Sequence, residues 1–160
     1  MRHIISVIVE NKPGVLTRVA GLFARRGFNI ESLAVGTTET PDVSRMTIVA
    51  EGNEQDLEQI IKQLYKLIDT MKVFDLPADK AIERELVLIK VAANDKTRQE
   101  ITQIVDIFRG KIVDVAETSM TIEIVGDENK VEGAEKLLAK FGIRELVRTG
   151  VIGLMRGSAE

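Results

Sequence analysis

The stretch HIISVIVENKPGVLTRVAGLFARRGFNIESL (His3–Leu33) decides the fold. Its opening, HIISVIVE, is a β-branched run with Ile5, Val7 and Val9 on one face, the pattern of a half-buried strand. From Pro13 to Arg26 the spacing turns helical. Val15, Leu16, Val19, Leu22 and Phe23 form one stripe, and Thr17, Arg18, Gly21 and Arg25 lie opposite. Arg25 and Arg26 fill the last turn and Gly27 follows. Cations favour the negative helix end, and glycine can take the left-handed cap conformation. Phe28–Thr37 then returns to a strand pattern.

Working outward, Val43–Glu51 reads as the next strand, reached through the turn residues Thr38-Glu39-Thr40-Pro41-Asp42. Glu54–Ile68 is a second amphipathic helix, with Leu57, Ile60, Ile61, Leu64 and Ile68 on its stripe, and Met71–Leu76 is a short closing strand. After Pro77-Ala78-Asp79, a polar linker, the order begins again. Glu85–Ala92 is a strand and Lys96–Arg109 a helix stopped by Gly110. Lys111–Glu117 and Ser119–Val125 are strands, Glu128–Phe141 is a helix, and Ile143–Leu154 is strand-like. The repetition reaches individual residues. Leu22-Phe23…Arg26-Gly27 answers Ile107-Phe108-Arg109-Gly110, and Glu51-Gly52-Asn53-Glu54 answers Val125-Gly126-Asp127-Glu128.

A duplicated βαββαβ unit predicts an α/β (α+β) sandwich: two tandem ferredoxin-like units over 1–77 and 78–160. Two single-striped helices per unit cover one face of each antiparallel sheet. The other face and the edge strands then need cover, and each small unit has a limited core, so at least a dimer is expected.

The 160 residues are 44% hydrophobic and 29% charged, with a net charge of −3. Mild acidity argues against a broad nucleic-acid or anionic-membrane footprint. Without cysteine there is no disulfide framework, thiolate nucleophile or zinc ribbon. No segment approaches the ~20 apolar residues of a membrane span, and Ile4–Val9 is too short for a signal-peptide core, so a cytoplasmic protein is expected.

In Asn11-Lys12-Pro13-Gly14-Val15-Leu16 the proline suits the first helical turn, and Asn11 could cap it. Gly14 also leaves room for a ligand to approach the free N–H groups, a cradle for a carboxylate or phosphate. The second unit reads Ala93-Asn94-Asp95-Lys96-Thr97-Arg98 there, with no Pro-Gly step. Aligning Arg26-Gly27 with Arg109-Gly110 sets Ile112 opposite Asn29. Features present in one copy only are not demanded by the fold, which points to a ligand at Asn11, Gly14 and Asn29. Helix N–H groups for a carboxylate, asparagine carbonyls for an ammonium, and Val15, Leu16, Ile30 and Leu33 for an aliphatic group suit an amino acid. His3, the lone histidine, reads as a strand-end surface residue. Glu39 with Asp42 and Asp56 with Glu58 read as solvated acids, Met46, Met71 and Met120 as core-facing, and Glu83-Arg84-Glu85 as a solvated linker. No metal site and no catalytic constellation are visible.

The sequence closely resembles the small regulatory subunit of acetohydroxyacid (acetolactate) synthase. The resemblance lies in the loop-to-strand stretch Glu10–Leu33, in SRMTIV (Ser44–Val49), in IFRGKIVDV (Ile107–Val115) and in RTGVIGLMRG (Arg148–Gly157). It implies that the N-terminal unit is an ACT domain and that the chain is a homodimer with no active site. It implies an effector, a branched-chain amino acid and typically valine, held where two ACT domains share an edge. It further implies activation and feedback inhibition of a separate catalytic large subunit. Thiamine diphosphate, Mg and FAD would belong to that subunit, leaving no cofactor in this chain. Carried over, the effector-binding residues are Asn11, Lys12, Pro13, Gly14, Val15, Leu16, Asn29 and Ile30, and Gly36 stands where the family often has another small residue. Three rival readings remain. An amino-acid sensor for a different enzyme is disfavoured by RGFNIESL and RTGVIGLMRG. An RNA-binding module lacks aromatics on Ile4–Val9 and Arg45–Ala50. A stand-alone ferredoxin-like enzyme lacks a visible nucleophile or base.

Overall fold

The computed structural model describes residues 1–157. In the first unit β1 (Arg2–Glu10), β2 (Ile30–Thr37), β3 (Val43–Glu51) and β4 (Thr70–Asp75) form an antiparallel sheet in the order β2-β3-β1-β4. Helices α1 (Val15–Arg25) and α2 (Glu54–Tyr65) cover one face. The alternation read from sequence sets which side chains go inward. Ile5, Val7, Val9, Met46 and Ile48 meet Val15, Val19, Leu22 and Phe23 of α1 and Leu57, Ile60 and Leu64 of α2 in one buried cluster.

The opposite face of this sheet is covered at one end by chain from far along the sequence. Ile4, Val49, Leu76, Ala81 and Val151 form a second buried cluster, with Phe74 and Met155 packed against it. The Val151 N–H donates to Ser32 Oγ at 2.8 Å. Beyond it β9 (Ile152–Met155) pairs with β5 (Ala81–Ala92), and the Arg156 N–H donates to the Lys80 carbonyl at 2.9 Å. The compact units are accordingly 1–83 with the described residues from Val151 onward, and 84–150. The sequence reading places its division at 77/78.

In the second unit β6 (Lys111–Val115), β7 (Ser119–Gly126), β5 and β8 (Ile143–Arg148) run in the order β6-β7-β5-β8. Helices α3 (Arg98–Ile107) and α4 (Glu128–Leu138) pack Ile101, Ile104, Val105, Val131, Ala134 and Leu138 onto Val87, Ile89, Val91, Met120, Ile122 and Ile124. A 3-10 turn, Ala139–Phe141, follows α4.

The repeated Gly-Asn and Gly-Asp steps are helix starts. Asn53 Oδ1 accepts the Asp56 N–H at 2.9 Å, and Asp56 returns a bond to the Asn53 N–H. Asp127 Oδ1 accepts the Lys130 N–H at the same distance, 2.9 Å. Replacing either cap by alanine is expected to cost about 1 kcal/mol, read as a lower denaturant midpoint at unchanged slope.

Five expectations need correcting. Glu83-Arg84-Glu85 is no linker but part of β5, where alternating charges mimic a loop, and Glu83 takes both Arg2 nitrogens at 3.2 and 3.4 Å. His3 is buried, its Nε2 3.0 Å from the Gly52 carbonyl oxygen. Met71 is exposed, and Ile68 lies beyond the end of α2 and is 97% exposed. The strand expected over Ile143–Leu154 is two, β8 and β9, interrupted at Gly150 with φ of 90°.

Candidate functional site

Helix α1 starts differently from its counterpart. Gly14 is its N-cap residue at φ 85°, a left-handed conformation that glycine adopts freely, and no side chain accepts from the first turn. Asn11 does not cap it. Its Nδ2 donates to the Pro41 carbonyl at 3.1 Å and its backbone N–H to Asp42 at 2.8 Å, so Asn11 pins the loop to the β2–β3 turn. In the first turn, Val15 donates weakly to Lys12 at 3.4 Å and Arg18 to Gly14 at 3.0 Å. Among the described residues, the N–H groups of Leu16 and Thr17 between them find no backbone acceptor outside the helix. In the turn before α3, Asn94 Oδ1 accepts from Lys96 at 2.9 Å and Thr97 at 3.1 Å, and α3 itself likewise has no side-chain cap. Both helices thus leave first-turn N–H groups unused, and at α1 the left-handed Gly14, without a side chain, keeps them open to an anion.

The surroundings are polar and open. Lys12 Nζ lies 2.7 Å from Glu10, whose hydrogen bond and charge raise the ammonium pKa above its ordinary value. Leu16 is exposed and Val15 buried. Sequence reasoning passed over Arg18. Its Nε donates to Asp69 Oδ2 at 2.9 Å, and its Nη1 lies 3.1 Å from where a Gly14 Cβ would sit. A cation held over the loop by a carboxylate on the α2–β4 connection would add to the field at the helix end. The signal was there: Arg18 stands one turn after Gly14.

Asn29 and Ile30 are elsewhere. Ile30 pairs with Ala50 and Ala50 with His3, at the start of β1, whereas the loop follows the end of β1. The 11 residues of α1 separate the two groups by about 16 Å. One chain does not bring Asn11 and Gly14 together with Asn29.

The comparison of the two copies also needs revision. Phe28 N–H bonds the Phe23 carbonyl as Gly110 N–H bonds that of Val105, so Gly110 answers Phe28 and Arg109, at φ 53°, answers Gly27. Counting back from the matched caps Asn53 and Asp127, Val49 corresponds to Glu123. Their partners Ser32 and Lys111 then correspond. Asn29, Ile30 and Glu31 lie between, with no counterpart in the second unit, and β2 shifts register there. Asn29 is not opposite Ile112; it belongs to a three-residue segment peculiar to the first unit.

Among the described residues no three acidic or histidine side chains gather as a metal site, and no helix is long and apolar enough to cross a membrane.

Two βαββαβ units, the first with a left-handed glycine at its helix start and a register-shifted edge strand, define a tandem ferredoxin-like protein of ACT type. Residues 5–72 match the family described as AHAS small subunit-like ACT domain, and residues 84–157 the family described as small subunit of acetolactate synthase. The chain belongs to the acetolactate synthase small subunit family. It is 56% identical to the probable acetolactate synthase small subunit of Archaeoglobus fulgidus, over 99% of each chain. It is 52% identical to the acetolactate synthase small subunit of Mycobacterium leprae, over 97% of this chain and 92% of that one. The crystal structure of the small subunit from Thermotoga maritima superposes with a TM-score of 0.90, at 47% identity and 98% coverage of both chains.

Proposed function

We propose that this chain is the non-catalytic regulatory subunit of acetolactate synthase in branched-chain amino-acid synthesis. It activates the catalytic large subunit in the cytoplasm and inhibits it when a branched-chain amino acid, valine first, is bound. Thiamine diphosphate, Mg and FAD are held by the large subunit, which performs the chemistry. The observation that carries the reading is the separation of the Asn11–Leu16 loop from Asn29 along a single chain.

Two copies remove that separation. β2 and β4 are the sheet's edges. At β4 the Tyr65 hydroxyl accepts from the Val73 N–H at 3.1 Å and donates to the Val73 carbonyl at 3.3 Å, occupying the groups at the middle of the strand and disfavouring a further one there. β2 remains for pairing. Thr37 pairs with Ser44 and Ser44 with Val9, so the far end of β2 lies beside the loop. Antiparallel pairing of β2 with the same strand of a partner sets the start of one against the end of the other. Asn29 of each protomer then faces the Asn11–Leu16 loop of its partner. The helix N–H groups take the effector carboxylate, the asparagine carbonyls its ammonium, and Val15, Leu16 and Ile30 its side chain. Bound effector favours one dimer arrangement, and it inhibits insofar as that arrangement couples differently to the large subunit, with ~1–3 kcal/mol sufficing.

Calorimetric titration with valine, leucine, isoleucine and serine, followed by reconstitution with a large subunit and assay of acetolactate formation, tests this. Saturable binding of a branched-chain amino acid, activation by the chain and inhibition by the tightest binder are expected. No activation together with no branched-chain binding would sink the reading.

A further inference from the structure

We propose that the face of the first sheet turned away from α1 and α2 carries a second ligand site, for a phosphate group, formed by Arg45 and Lys72 around Phe74. The register puts Gly36, Arg45, Ile8 and Lys72 in one row across the strands, and Ala34, Thr47, Ser6 and Phe74 in the next. Arg45 leans back over that second row. Its Nε donates at 2.7 Å to Oγ of Ser6, a fully buried residue, and its Cζ stands 5.7 Å from the Phe74 ring centroid. Lys72 Nζ stands 4.4 Å from the same centroid. Two cations thus converge on one ring, which is itself fixed by packing on the cluster of Ile4, Val49 and Leu76.

Positive charge gathered at one ring is a place where an anion gains from both cations at once. Among the described residues neither cation has a carboxylate within ion-pair distance. Burial draws the Arg45 pKa down, and the charge of Glu39 on the β2–β3 turn acts weakly the other way. Ser6 uses one of the five guanidinium N–H donors, and among the described residues the outer fork has no hydrogen-bond partner. Opposite Arg45, a Cβ on Gly36 would meet nothing within 4 Å, so approach over β2 is open. A fork and a point charge sum to two positive charges, which a phosphate dianion matches better than a carboxylate. The loop at Gly14 opens α1, on the helical side of the sheet, so the two sites are distinct.

The test uses the full chain and inorganic phosphate, with acetate as the single-charge control at fixed ionic strength. Saturable phosphate binding by calorimetry is expected, with a matching rise in Tm and a weaker response to acetate. Arg45→Gln and Lys72→Gln should each weaken phosphate about tenfold or more. Lys72 is exposed, so its variant should keep the fold even if the Arg45 variant does not. Glu39→Gln should tighten phosphate, a sign no structural role for Arg45 predicts. Valine titration of the same variants should be unchanged, separating this site from the effector site. Acetate binding as tightly as phosphate, or a phosphate constant unaltered in Lys72→Gln, would overturn the proposal.

Discussion

Asn29→Ala is expected to weaken effector binding about 10- to 100-fold, because a hydrogen bond to a charged group contributes about 1.5–3 kcal/mol. Inhibition of the reconstituted synthase should be lost at effector concentrations that saturate the unaltered protein. Asn29 is exposed and outside the buried clusters, so Tm without effector should not move. A partner-shared site makes a sharper claim. Gly14→Ala, which imposes φ 85° on a side chain and sets Cβ 3.1 Å from Arg18, should also abolish binding. In a mixed dimer of the two variants, one site receives an unaltered loop and an unaltered Asn29, and the other receives neither. Calorimetry on an equal, re-equilibrated mixture should recover about a quarter of the sites at the original affinity, because about half the dimers are mixed and each has one intact site of two. If mixing restores nothing, the two groups do not act across protomers.

Gly110→Ala is expected to destabilise the second unit by about 2–3 kcal/mol, towards the upper end of overpacking costs. A Cβ there would stand 2.5 Å from Ile124 Cδ1, 2.9 Å from the Glu123 carbonyl oxygen and 3.3 Å from Val105. Ile124 and Val105 are buried, and a backbone oxygen in a paired strand cannot retreat. Gly27→Ala, in the Arg-Gly step of the first unit, meets nothing within 4 Å and carries only the conformational penalty of φ 73°, about 1–2 kcal/mol. Urea unfolding of both variants checks the contrast. Equal losses would mean that the contact at Gly110 relaxes freely.

That pair of glycines shows where sequence reading stops. Period and punctuation carried the element order, because Ile5, Val7 and Val9 or Leu57, Ile60 and Leu64 have one way to face a core. A dipeptide repeated in both units looked like one cap used twice. In the second unit the left-handed position falls on Arg109, and Gly110 is small for contact with β7. Only the pairing register reveals this, and it also removes the apparent match of Ile112 with Asn29. Val151 and Met155 were equally opaque, since the cluster they join is built from Ile4, Val49 and Leu76, in distant parts of the sequence. Of the candidate site, residue types and the one-copy argument were readable at Asn11–Leu16. The turn that takes Asn11 as its partner, and the distance to Asn29, exist only in three dimensions.

Tyr65 has a consequence for how far assembly can proceed. A sheet with two receptive edges adds copies without end, each new molecule presenting the edge it did not use, and the product is a fibre. One hydroxyl engages Val73 on both its N–H and its carbonyl, which obstructs the middle of β4 and disfavours pairing on that side. On the proposed pairing, two molecules joined by β2 would exhaust each other, and growth would halt at a pair.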